Sequence, residues 1–183
     1  MIRKSKSAYD CLVKIPLIYK STKKNQLRYN SELVNIVDIY PTIFKELELD
    51  IEDYIQGKSF YHNLFDNNFD SSDFIYGEYG AHNEPYNKNE NFKICESPFS
   101  DDFDPSLKKG GYGKMRYIRT KKWKLAVYLN DQNELYDLEN DPYELENIYD
   151  NSKYRNIKND LIEILINKTM SITQPNKINS PVS

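Results

Sequence analysis

Residues 115–138 carry three strand-like runs set so close together that they restrict how they can pair. The runs are 115–120, 124–130 and 134–138, and Asp131, Gln132 and Asn133 form the second of the two turns between them. Parallel neighbours need a crossover of roughly a dozen residues, so connections this short impose an antiparallel meander. In the last run, Leu135 and Asp137 alternate with Tyr136 and Leu138, which suits a strand with two unlike faces.

That run opens the stretch ELYDLENDPYELENIYD, residues 134–150, which holds seven carboxylates. A calcium loop starting at Asp137 would take ligands from Asp137, Glu139 and Asp141, then require Gly at the sixth position and Glu at the twelfth. Pro142 and Ile148 stand there instead. Proline cannot adopt the backbone angle that the glycine supplies, so the EF-hand reading fails. Asn140, Asp141 and Pro142 are expected to form a structural turn, with Leu135 and Leu138 touching the core.

At 183 residues one domain is the default, able to bury about 70% of its unfolded surface. Mean hydropathy is low at −0.78, yet 16 Tyr and 8 Phe supply core volume. A net charge of −3 with interspersed signs argues against a nucleic-acid partner. Cys11 and Cys95 make no metal-ligand pair, and each is expected to be a buried thiol. No run reaches the ~20 apolar residues of a membrane span. The basic start lacks a secretion signal, so cytoplasmic is the default and localisation is otherwise unknown.

IPLIY, residues 15–19, is an almost unbroken apolar run, the pattern of a strand covered on both faces. Ser31 is placed to cap a helix whose apolar positions include Leu33, Ile36, Val37, Tyr40, Phe44 and Leu47, kinked or restarted near Pro41. FIYGEY, residues 74–79, reads as a second buried strand. Residues 80–113 look like a long surface loop. Ser152 is placed to cap a final helix with Tyr154, Ile157, Leu161, Ile164 and Leu165 on one face, against which Trp123 is expected to pack. The basic residues Arg116, Arg119, Lys121, Lys122 and Lys124 suggest a solvated strand face more than an anion site. Buried strands without obvious neighbours give the chain the look of the later part of a larger α/β protein.

Three stretches in order carry a family resemblance. SAYDCLVKIPLIYK resembles the sulfatase pattern of a Tyr-Asp/Glu pair ahead of an Arg-Val/Ile-Pro-Leu-Ile strand. ELVNIVDIYPTIFKELEL resembles that family's Val-Asp-Leu-Tyr-Pro-Thr helix. YIRTKKWKLAVYLNDQNELYDLENDPYELENI resembles its closing signature, an Arg-Thr-x-x-Tyr/Trp-Lys strand followed by Glu-Leu-Tyr-Asp-Leu and Asp-Pro-x-Glu. Together these cover most of residues 4–150.

The resemblance implies an α/β fold. It would be the C-terminal part of an alkaline-phosphatase-like sulfatase, with remnant main-sheet strands and a small antiparallel C-terminal sheet packed by a helix. Residues 1–113 would belong to the core, including the loop at 80–113. Residues 114–173 would form the antiparallel subdomain and 174–183 a flexible tail. In the complete family member, sulfate esters are hydrolysed by a formylglycine nucleophile beside calcium. The Cys/Ser-x-Pro/Ala-x-Arg motif that yields formylglycine is absent from this sequence, as are the paired metal-binding aspartates. No cofactor is therefore expected on this chain, and an N-terminal half is a possible partner.

The family's sulfate-facing lysine stands five residues before its Tyr-Asp/Glu pair, which implies Lys4 here. Ser5 and Lys6 occupy the places of the usual Gly-Pro. Glu78 and His82 are expected at the substrate rim rather than, with Glu84, at a metal site. Two other functions compete with an inactive sulfatase portion. One is a non-catalytic glycan-binding or interaction module built on the many tyrosines. The other is a portion of a phosphate or phosphonate ester hydrolase.

Overall fold

The computed structural model describes residues 7–21, 23, 29–64, 72–79, 115–129 and 132–173. Among them, four strands form one antiparallel sheet in chain order: β1 (Ile75–Tyr79), β2 (Met115–Arg119), β3 (Trp123–Tyr128) and β4 (Glu134–Asp137). The expected meander is present in register, with Arg119 opposite Lys124 and Leu125 opposite Leu135.

Alternation divides the sheet into two faces. Residues 123, 125 and 127 of β3 point to one side, where the final helix α3 (Arg155–Thr173) covers them. Ile118, Leu125 and Leu135 meet Ile148, Leu161 and Leu165 there, and the Trp123 ring packs edge-on against Tyr154 at 5.7 Å. A 3₁₀ turn, Ser152–Tyr154, leads into α3, and Asn151 accepts from Lys153 N at 3.0 Å. The cap is thus one residue earlier than Ser152. Met115 and Ala126 lie on the opposite face with Ala8, flanked by Tyr117 and Tyr128. This second cover comes from the far end of the sequence, including a short helical turn, α1 (Asp10–Val13).

Two strand placements need correction. FIYGEY supplies the edge strand β1 of this small sheet, not a strand of a separate main sheet. Its Gly77 lies across from Tyr117, and a Cβ there would come within 2.3 Å of the Tyr117 ring. IPLIY is not a strand: Ile15 and Leu17 are about half exposed and Ile18 is 94% exposed. An unbroken apolar run shows that both faces seek cover, but no described strand lies beside it. Tyr19 anchors the end of the run, with its hydroxyl on Glu46 and its ring against Phe60.

The second helix also departs from expectation. Ser31 does not cap it. Asn35 and Asp38 form a capping box, a 3₁₀ turn spans Ile36–Asp38, and α2 (Ile39–Glu46) follows. Pro41 falls in the first turn of α2, where its missing N–H breaks no helical bond, so the helix starts beside it. Its buried side holds Pro41 and two polar residues, Thr42 and Glu46. Thr42 accepts from Phe60 N at 3.0 Å and donates to Asp38 O at 2.6 Å. The Asp38 carboxylate accepts from Asn35 N and Lys58 N, and Glu46 accepts from Ser21 at 2.8 Å. Ile36, Val37, Tyr40, Ile43 and Leu47 are exposed. Cys11 is exposed on α1 rather than buried, and Cys95 lies outside the described residues. No helix of the described residues is long and apolar enough to cross a membrane.

Candidate functional site

The Tyr-Asp pair, the Arg-Thr-x-x-Trp-Lys hairpin and the Asp-Pro-x-Glu turn are far apart in sequence, and the fold brings them to one place. Lys124 leaves β3 on the face opposite α3 and is fully buried, its ammonium on the carboxylates of Asp10 and Glu144. Arg119, across the hairpin, places Nη2 at 3.0 Å and Nε at 3.2 Å from the two Asp10 oxygens. The Asp10 backbone N–H donates to Glu144 at 2.6 Å. Two cations and two anions thus form a neutral, mutually saturated cluster. Lys124 and Arg119 are therefore not a solvated basic face.

Each neighbour of the cluster has a local cause. Glu144 sits at φ 58° and its N–H donates to Asp141 O, so the turn turns its carboxylate inward. Asp141 accepts from Leu145 N at 3.0 Å and Glu146 N at 2.9 Å. Those two bonds hold the Asp141 carboxyl below its ordinary value. Asn147 then caps the outer edge of β4, accepting from Leu135 N and donating to Asn133 O, both at 3.0 Å. Ile148 adds a backbone bond to Leu135 O and enters the core. The acidic stretch is therefore a structural turn that closes a sheet edge and aims one carboxylate. Leu135 reaches the core as expected, while Leu138 is half-buried outside the core cluster.

Burial works to raise the Asp10 carboxyl, but hydrogen bonds and charges from Arg119 and Lys124 overcome it and hold the group below its ordinary 3.8. Beside the cluster, Glu134 accepts from the Tyr128 hydroxyl at 2.9 Å and from the Tyr9 hydroxyl at 3.4 Å, with the Tyr9 ring tilted against Tyr136. Burial, with Glu134 next, pushes the Tyr128 phenol up, and burial with the Tyr9 contact does the same to Tyr136. These hydroxyls stay protonated as donors. Both cations are committed to carboxylates, so the arrangement is built to hold segments together, not to receive an anion or move a proton.

The expected site residues are not brought together within the described chain. Glu78 is exposed on β1, where it accepts from Tyr76 at 2.8 Å and faces Arg116 at 3.4 Å. Lys4, His82 and Glu84 lie outside the described residues, as does the 80–113 loop. Among the described residues, no three His, Cys, Asp or Glu side chains converge to hold a metal. The described residues therefore offer no donor set that fits the implied calcium.

Comparison with known proteins adds an independent view. Residues 110–171 match the family model "N-sulphoglucosamine sulphohydrolase, C-terminal". The chain is 24% identical over 175 residues to the uncharacterized sulfatase YidJ of Escherichia coli (strain K12), covering 96% of this chain and 30% of that protein. Among solved structures, a 2-O GAG sulfatase superposes with a TM-score of 0.55 at 19% identity, over 75% of this chain and 25% of its own. The phosphonate monoester hydrolase of Agrobacterium radiobacter gives 0.52 at 18% identity, over 74% and 24%. The chain thus spans less than a third of each of these relatives. Motifs and family model agree in likening the chain to the C-terminal portion of the sulfatase family, and the superpositions show the same fold.

Proposed function

We propose that the chain serves sulfuric ester hydrolysis as the C-terminal portion of a sulfatase and has no turnover by itself. The observation that carries this reading is the convergence of the first and third of the family's stretches on the Asp10–Lys124–Glu144 cluster. Absence of the nucleophile motif from the sequence supports the second clause. A positioned cation supplies binding but no covalent path, and typical enzymatic accelerations correspond to ~8–23 kcal/mol of barrier lowering. Formylglycine and calcium would come from a complementary N-terminal portion. The exposed apolar side of α2 and the exposed Ile15, Leu17 and Ile18 are what such a portion would cover. Lys4 would meet a sulfuryl oxygen as a point charge, with Glu78 and His82 at the rim.

The test is turnover of an aryl sulfate by the purified chain, alone and mixed with an N-terminal sulfatase portion, calcium present. Activity is expected only in the mixture and should fall with Lys4→Ala. Turnover by the chain alone, surviving a mass check for contaminants, would overturn the reading. The phosphonate monoester hydrolase neighbour favours a second reading, so an aryl phosphonate monoester belongs in the same assay. Faster hydrolysis of that ester would move the assignment to phosphonate chemistry.

A further inference from the structure

We propose that the Asp10–Arg119–Lys124–Glu144 cluster is a latch that docks residues 8–14 onto a sheet able to stand without them. The main apolar core draws its buried residues, Ile118, Leu125, Leu135, Ile148, Leu161 and Leu165, entirely from residues 115–173. Residues 8–14 contribute only Ala8 to a buried cluster, and α1 buries no residue. What attaches this arm is polar. Asp10 receives Arg119 and Lys124 through its side chain and reaches Glu144 through its backbone N–H. Ala8 N donates to the Tyr128 hydroxyl at 3.3 Å, and Tyr9 donates to Glu134.

Losing Asp10 leaves Lys124 still paired with Glu144, so the sheet side of the latch keeps a satisfied ion pair. Release of the arm is thereby separable from collapse of the sheet. On the sulfatase reading above, this arm carries Lys4 four residues ahead of Ala8.

Hydrogen exchange on the full chain tests the latch and needs no substrate, so its outcome is independent of whether sulfate esters are hydrolysed. The reporters are the bonded amides of Ala8, Asp10, Leu12, Val13 and Lys14, read against those of Leu125, Leu135 and Leu161. In Asp10→Ala and Asp10→Asn the arm amides should exchange on the order of tenfold faster or more, while the reference amides keep their wild-type rates. Asp10→Glu, which keeps the carboxylate, should restore most of the protection. Unchanged arm protection in both variants would show that the cluster does not dock the arm. Equal loss across arm and reference amides would show that Asp10 belongs to the core and is no latch.

Discussion

The sheet with α3 and the region around α2 solve burial in opposite ways. Under α3 the interior is apolar: Ile118, Leu125 and Leu135 are fully buried. Around α2 the interior mixes Pro41 and Phe60 with the polar Asp38, Thr42 and Glu46, which are tied by hydrogen bonds to Tyr19, Ser21, Lys58 and Phe60, while Ile36, Val37, Tyr40, Ile43 and Leu47 face outward. Apolar burial drives folding of the first region at roughly 25 cal/mol per Å². The second uses polar bonds, each worth only about 1 kcal/mol net, and leaves its apolar area unused. One region is finished, and the other leaves an apolar side exposed among the described residues.

The largest expected effect lies where a charge has been drawn into the finished region. Lys124→Met removes the only ammonium that the cluster gives Glu144, whose carboxylate is also buried. Breaking a buried pair from one side costs about 3–5 kcal/mol. Denaturant unfolding should show that loss, and a change under about 1 kcal/mol would mean water reaches the cluster.

In the α2 region the corresponding test is Thr42→Val. The hydroxyl accepts from Phe60 N, so the substitution leaves a buried N–H without a partner, at about 1–3 kcal/mol. If Thr42→Val were neutral while Lys124→Met were severe, the polar interior of α2 would contribute nothing to stability and the contrast would sharpen.

How far the sequence told these regions apart depends on the length scale of the signal. The meander and α3 were legible because alternation and helical spacing are local, and both appear where the pattern put them. The helix expected from Ser31 begins only at Ile39, so of its apolar positions Tyr40 and Phe44 alone fall inside α2; periodicity tells which face seeks cover, not whether the described residues supply it. IPLIY went wrong for the same reason. The buried face of α2 was nevertheless written at 38, 42 and 46, three polar residues at helical spacing. The Asp10 cluster was harder, since its members lie up to 134 positions apart. Its one local trace is Lys124, which alternation places on the same face as Ala126 and Tyr128.

A smaller effect is expected at the turn joining the two halves of the acidic stretch. Asp141→Ala loses the bonds to Leu145 N and Glu146 N and should lower stability by ~0.5–2 kcal/mol, the range for a cap. The folded-state carboxyl is held below its ordinary value of 3.8. Its contribution is therefore present above that pH and lost as pH falls through the folded value. The gap between wild type and variant should be constant near neutrality and close below about pH 4. A gap that widened on acidification would reverse the sign and reject the account. Stoichiometric calcium binding by residues 134–150 would do the same for the structural reading.

The smallest effect on stability is the most informative about the contrast. Ile43 on α2 is exposed, so Ile43→Ser should change unfolding free energy by no more than about 0.5 kcal/mol. Leu125 is fully buried, and Leu125→Ala should cost about 2–5 kcal/mol in the same assay. If the outer side of α2 is an interface, Ile43→Ser should also reduce self-association in sedimentation, since an exposed apolar patch promotes it. It should equally weaken rescue of activity by an N-terminal sulfatase portion. The joint outcome matters: unchanged stability with weaker association marks a surface made for a partner. Lost stability would mean that Ile43 is covered within this chain, and α2 would then belong with the finished region.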